Sequence, residues 1–228
     1  MPELGFLQQE GLELILCKQS DISYPRHNHA SVFVFGLLLD GALELVTDSG
    51  AALCRTGDGF ALPPYAPHCV NARPGYTLLS LCVPKAVFRA DPEGTAAERF
   101  LRQSLGRPEL ERGLLETLRS FAASARPPEE DSGLRARLEA HPERRWGVKD
   151  MAAQAFVSKY HLIRSFKKEV GLTPHQFQIQ NRVRLAQRLL REPGETAEVA
   201  LAAGFCDQSH LIRHFKKLVG LTAEGYRR

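Results

Sequence analysis

The stretch SKYHLIRSFKKEVGLT, Ser158–Thr173, returns as DQSHLIRHFKKLVGLT, Asp207–Thr222, after a shift of 49 residues. Of the twenty aligned pairs from Ser158/Asp207 to Phe177/Tyr226, eleven are identical. With Tyr160 set at 0° on a helical wheel, Leu162, Phe166 and Val170 fall at about 200°, 240° and 280°, which makes one buried stripe. Tyr160, Ile163, Arg164 and Lys167 take the opposite face. Ser209, Ile212, Arg213 and Lys216 repeat that face outside Leu211, Phe215 and Val219. Ser158 and Asp207 stand where a helix N-cap belongs, and Gly171 and Gly220 where a helix stops. A short helix precedes each basic one, across the turns Ala155-Phe156-Val157 and Gly204-Phe205-Cys206. One basic helix built twice at fixed separation suits a polyanion with its own repeat, double-stranded DNA.

Working outward, Pro174–Leu190 predicts a joining helix of about 17 residues, roughly 25 Å long. Such a spacer can hold two helix-turn-helix motifs near the ~34 Å repeat of a duplex. Helices over Leu134–His141, Val148–Ala155, Thr196–Ala203 and Ala223–Arg227 complete an all-α domain spanning 134–228. Arg164 and Arg213 suit two hydrogen bonds to guanine. Ser158, Lys159, Lys167, Lys168, Lys216 and Lys217 suit phosphates. Ile163 and Ile212, on an exposed basic face, meet a thymine methyl in the major groove, make a domain contact or are tolerated surface residues. His161 and His210 lie at the core boundary, where packing or backbone bonding is expected rather than base reading.

The net charge of +4 is unevenly spread. Residues 133–228 hold 18 Lys and Arg against 9 Asp and Glu, whereas residues 1–90 hold 6 against 8 and residues 91–132 hold 6 against 9. Only the C-terminal part is cationic, as expected when one domain meets nucleic acid. The N-terminal MPELGFLQQEGLELILCK has no basic leader, and its apolar runs are too short for a signal peptide or membrane span. Five cysteines form no CxxC pair. Four of them fall in a β region, where thiols serve as small buried hydrophobes, and a reducing cytoplasm fits.

Residues 12–83 read as short strands broken by Asp40-Gly41, Ser49-Gly50, Gly57-Asp58-Gly59 and Pro63-Pro64, giving a small barrel or sandwich over 1–90. In 91–124 the period becomes helical. Ala97, Phe100, Leu101 and Leu105 mark one amphipathic helix, and Leu110, Leu114, Leu115, Leu118 and Phe121 mark another. This leucine-rich stripe can cap the barrel or form the seam of a homodimer. Residues 125–133, made largely of proline, acidic and small residues, read as a flexible linker.

The C-terminal hundred residues resemble the AraC/XylS family of bacterial transcription regulators. The resemblance rests on Ser158-Lys-Tyr-His-Leu-Ile-Arg-Ser-Phe-Lys-Lys, Arg182-Val-Arg-Leu-Ala-Gln-Arg-Leu-Leu, Val199-Ala200, Gly204-Phe-Cys-Asp-Gln-Ser209, Phe215-Lys-Lys-Leu-Val-Gly-Leu-Thr and Tyr226-Arg227. It implies base contacts by Tyr160, Ile163, Arg164, Gln208, Ser209, Ile212 and Arg213, promoter DNA and RNA polymerase as partners, and activation more than repression. Ala223 stands where the family usually has proline, which predicts a looser start to the last helix.

Residues 26–71 resemble the cupin-type sensor domain common in this family, through His27-Asn-His29, Gly57-Asp-Gly-Phe-Ala-Leu-Pro63 and Pro67-His68. The resemblance implies that His27, His29 and His68 converge. The glutamate of metal-binding cupins would fall at Phe33 or Val34, both apolar. Three readings stay open: a divalent metal (zinc, nickel or iron), a small-molecule effector without metal, or structural histidines. Phe33, Phe35, Phe60 and Leu62 are candidate pocket lining, with half expected to face outward. An effector-controlled transcription regulator leads. A metal-dependent cupin enzyme with a basic helical appendage and an architectural DNA-binding protein are its rivals.

Overall fold

The computed structural model describes residues 3–124 and 133–227, so that all of the expected linker except Gly133 lies outside the described residues. The chain divides into two compact units, Met1–Glu129 and Glu130–Arg228. Among the described residues no helix is long and apolar enough to cross a membrane.

The N-terminal unit opens with strands β1 (Glu3–Gln9), β2 (Leu12–Ser20), β3 (Tyr24–His27), β4 (Val32–Asp40) and β5 (Ala42–Thr47). Strands β6 (Gly50–Arg55), β7 (Gly59–Leu62), β8 (His68–Ala72) and β9 (Tyr76–Pro84) follow. They form two antiparallel sheets, ordered β1-β2-β9-β4-β7 and β3-β8-β5-β6. Three helices come next: α1 (Lys85–Ala90), α2 (Thr95–Leu105) and α3 (Pro108–Ser124). Strand β1 and helix α1 are additions to the sequence reading.

Strand β4 explains the layering. Its apolar run is buried on both faces because successive side chains alternate. Val34 and Leu38 turn inward, joining Cys17, Leu43, Leu45, Leu62, Val70 and Tyr76 between the two sheets. Phe33, Phe35 and Leu37 turn outward, onto Phe88, Phe100, Leu101, Leu114, Leu115 and Leu118 of the helices. Phe33 and Phe35 are therefore not pocket lining. They stack against Phe88 at 4.2 and 6.0 Å between ring centroids, in a layer that α1 and α3 close. The leucine stripe of α3 is spent in the same place, with Leu114 and Leu118 at 0% and 1% exposure. It caps the sheet and is not an open seam for a second subunit. Cys17, Cys54 and Cys82 are buried as small hydrophobes.

The C-terminal unit is helical: α4 (Leu134–Ala140), α5 (Val148–Gln154), α6 (Lys159–Val170), α7 (Pro174–Leu189), α8 (Thr196–Ala202), α9 (Gln208–Val219) and α10 (Ala223–Arg227). The predicted stripe of α6 is buried, with Leu162, Phe166 and Val170 at 6%, 4% and 0% exposure. In α9 Leu211 and Phe215 are buried but Val219 only partly so. Helix α7 starts with a reciprocal capping box between Thr173 and Gln176 and with Pro174 in its first turn. The last helix forms without the family's proline. Ala223 is fully buried, and the Thr222 hydroxyl accepts the Gly225 N–H at 3.0 Å.

The two motifs differ in their turns. Two residues separate the C-cap Ala155 from the N-cap Ser158, and three separate Ala203 from Asp207. Phe156, at φ 55°, thus takes the left-handed position that Gly204 takes at φ 89°, and Val157 rather than Phe156 matches Phe205. The backbone bonds agree. Val157 donates to the Ala152 carbonyl as Phe205 does to Ala200, while Phe156 and Gly204 donate to Ala153 and Leu201. Phe156 is in consequence 96% exposed, while Phe205 is 3% exposed.

The burial of the α3 stripe gives a direct expectation. Leu118→Ala leaves a cavity in a packed layer and costs about 2–5 kcal/mol. Thermal denaturation is expected to report that loss, with no change of mass in sedimentation. A changed mass with unaltered melting would restore the seam.

Candidate nucleic-acid interface and effector site

Each basic helix is fixed at its start by a side-chain cap. The Ser158 hydroxyl accepts the His161 N–H at 3.2 Å, and the Asp207 carboxylate accepts the His210 N–H at 2.7 Å. Gly171 and Gly220 end both helices in the left-handed conformation. Between those stops Tyr160 (68% exposed), Arg164, Lys167 and Lys168 of α6 face solvent, as do Gln208, Ser209, Arg213, Lys216 and Lys217 of α9. Ser158 and Lys159 are exposed too, and the Lys159 ammonium lies 4.8 Å from the Tyr160 ring centroid. Ile163 and Ile212 are half-buried, not fully on the outer face as the wheel suggested. His210 sits at the core boundary, its ring 5.2 Å from Phe205 and 4.9 Å from His214, whereas His161 is exposed.

In the N-terminal unit the structure brings His27, His29 and His68 together, with one nitrogen from each lying within 4.8 Å of the others. The cause is strand register. His27 and His68 face each other across the β3–β8 pair, and His29 follows two residues on. Ring centroids are 4.2 Å apart for His27–His68, 5.1 Å for His29–His68 and 5.3 Å for His27–His29. Nδ1 of His27 donates to the Pro25 carbonyl (2.7 Å), and Nδ1 of His68 to Ala66 (3.0 Å). With the proton held on Nδ1, the lone pair lies on Nε2, the arrangement that metal-binding imidazoles use. Tetrahedral ligation needs nitrogens roughly 3.4 Å apart, so a modest closure would complete it. Phe33 faces the helical layer and Val34 the inter-sheet core, so no carboxylate stands at either expected position and the cluster consists of three imidazoles.

The comparisons with known proteins also give two parts, with the first running past the end of the N-terminal unit to include α4. Residues 11–141 match the family model of the AraC-like ligand binding domain, and residues 151–228 match a helix-turn-helix domain. The chain belongs to the AraC family. The HTH-type transcriptional regulator MtrA of Neisseria gonorrhoeae is 42% identical over 65 residues, which cover 28% of this chain and 22% of that protein. The HTH-type transcriptional regulator YbfI of Bacillus subtilis (strain 168) is 27% identical over 218 residues, covering 80% of this chain and 79% of that one. The crystal structure of ToxT from Vibrio cholerae O395 shares the fold at 11% identity, with TM-score 0.65 over 96% of this chain and 98% of that one. The chain is thus an AraC-family DNA-binding transcription regulator with an N-terminal ligand-binding domain.

Two residues beside the histidines escaped the sequence reading of this AraC-family chain. Tyr65, at φ 65°, donates its N–H to the His29 carbonyl (2.8 Å), and its hydroxyl accepts from the Lys85 ammonium (2.9 Å). Only the turn signal Pro63-Pro64 pointed there, and nothing singled out Lys85. Outside the sheets a cleft of ≈ 530 Å³ opens between β7 and α3, bordered by Leu37, Phe60, Gly113, Thr117 and Phe121. Of the four residues expected to line a pocket, Phe60 alone borders it.

His214, which replaces Ser165 of the first copy, carries a titration signature. Burial, then the cations of His210 and Arg213, press its pKa from 6.5 to about 4. The unfolded chain therefore binds the extra proton first, and the stabilising contribution present above pH 6.5 is lost as pH falls towards 4. His214→Asn is expected to flatten the fall in melting temperature across that window. An unchanged profile would contradict the assignment.

Proposed function

We propose that the protein is an effector-controlled transcription activator that reads promoter DNA with α6 and α9 in successive major grooves. The observation that carries the reading is the pair of capped basic helices, with Arg164 and Arg213 exposed at equivalent positions. Tyr160, Ile163, Gln208, Ser209 and Ile212 complete the base-reading set, and the flanking lysines take phosphates. Activation through contact with RNA polymerase follows the family resemblance, and the free cysteines suit a reducing cytoplasm. Effector binding shifts populations between regulatory states in proportion to its differential affinity for them. A homodimer, where one forms, uses a surface other than the α3 stripe.

The test is quantitative. Arg164→Ala or Arg213→Ala is expected to cost about 1–3 kcal/mol on the selected site and to relax preference at one base position. Lys168→Ala is expected to weaken all sequences alike and to lower the salt slope by about one. Equal losses on all sequences for the arginine variants would remove them from base readout.

We propose further that His27, His29 and His68 hold a divalent metal, zinc, nickel or iron, through which the sensor responds. The Nδ1 bonds to Pro25 and Ala66 support this reading, because they orient two imidazoles as a metal ligand requires. Metal analysis of protein made without a histidine tag is expected to give one equivalent, lost in His29→Ala. At a hundredfold excess over Kd, added metal would stabilise the protein by about 2.7 kcal/mol. Absence of metal, with no melting shift on addition, would leave the histidines to an organic effector or to structure.

A further inference from the structure

Within the C-terminal unit, one segment of irregular backbone touches both motifs. Residues 141–147 leave α4 and lead into α5, the first helix of the first motif. The indole of Trp146 donates to the His141 carbonyl at 3.1 Å and closes the segment on itself. Arg182 on the spacer helix α7, only 8% exposed, donates from Nε to the Pro142 carbonyl (2.8 Å) and from Nη2 to the Arg144 carbonyl (2.9 Å). Gln178, one turn earlier and 4% exposed, donates Nε2 to the same Arg144 carbonyl at 2.7 Å.

The turn of the second motif presses on the segment from another direction. A Cβ on Gly204 would lie 2.5 Å from the Glu143 carbonyl oxygen and 2.8 Å from its Cα, so backbone meets backbone there. The backbone of residues 142–144 is therefore gripped by α7 and abutted by the turn that aims α9. It then runs into the helix that supports α6.

We propose that Arg182 is a positioning residue that sets the rotation of one helix-turn-helix motif against the other, and with it the half-site spacing the protein accepts. The inference rests on the reading of α6 and α9 as the two DNA-contacting helices. A guanidinium is a rigid fork that spans two carbonyls in fixed geometry, which a flexible ammonium does not reproduce. Burying it is costly, and an apolar side chain of similar volume would serve a core at least as well, so the group contributes geometry more than stability. One base pair of B-DNA turns a groove by roughly 34° and advances it by roughly 3.4 Å. Accepting an extra base pair requires that rotation between the motifs, and the two bonds of Arg182 oppose it. The isolated α7 would resist only bending.

The test uses the full chain. A bound site is selected from a random duplex library and then rebuilt with one or two base pairs inserted or removed between its halves. Wild-type protein is expected to lose about a hundredfold in affinity on each altered spacing, because one motif disengages. Arg182→Met is expected to bind duplexes carrying a single half-site as wild type does, yet to lose roughly tenfold or less on altered spacing. Gln178→Met, which removes the second grip on Arg144, is expected to shift the same ratio in the same direction, and it decides the matter where Arg182→Met does not fold. An undiminished spacing penalty in a folded variant overturns the proposal. Failure of wild type to select any site overturns instead the DNA reading beneath it.

Discussion

Helix α7 is core to both DNA-reading motifs at once, and the rest of the C-terminal architecture depends on that. On the side of the first motif Phe177 is fully buried, its ring 5.6 Å from Phe166 of α6. Further along, Ile179, Val183 and Ala186 join Leu211 and Phe215 of α9 in the second core. A helix packed into two cores cannot bend or slide without opening one of them, because interiors at crystal-like density do not deform smoothly. The regular repeat in the sequence thus becomes a fixed relation in space. Buried polar groups on the same helix, Gln178 and Arg182, add direction to what apolar contact alone would hold loosely.

Much of this was legible in the chain. Periodicity located every helix from Leu134 onward, because amphipathic stripes ended by caps and glycines leave little freedom. What escaped were consequences of tertiary context. The turns were aligned at a constant offset, yet the first is one residue shorter, which no local propensity reveals and which puts Phe156 into solvent. Val219 follows the same pattern as Val170 but is only partly buried. In the N-terminal unit alternation was visible, but its sign was not. A strand buried on both faces presents apolar residues everywhere, so Phe33 and Phe35 could not be assigned to a side until the helical layer was seen on one of them. The α3 stripe posed the same ambiguity. The convergence of His27, His29 and His68 was implied by resemblance alone, and the β3–β8 register that produces it was seen only in the structure, whereas Tyr65 and Lys85 carried no periodic signal.

The sensor unit has a physical route from its histidines to its helical layer. Tyr65 ties the His29 carbonyl to Lys85, the first residue of α1, and Phe88 of α1 stacks on Phe33 and reaches Phe121 of α3 at 6.1 Å. On the proposed function, a ligand that drew the imidazoles together would act on a chain of packed groups. The free energy it can transmit is bounded by its preference for one arrangement over the other.

On the proposed function, one polypeptide engages two neighbouring turns of a duplex. Hydroxyl-radical footprinting of the full chain on a selected site, with the protein-to-DNA ratio fixed by sedimentation, measures this directly. Two protected stretches about 10 base pairs apart on one face of the helix are expected, with one chain per duplex. A single protected stretch per chain, or protection no stronger than on random competitor, would contradict it.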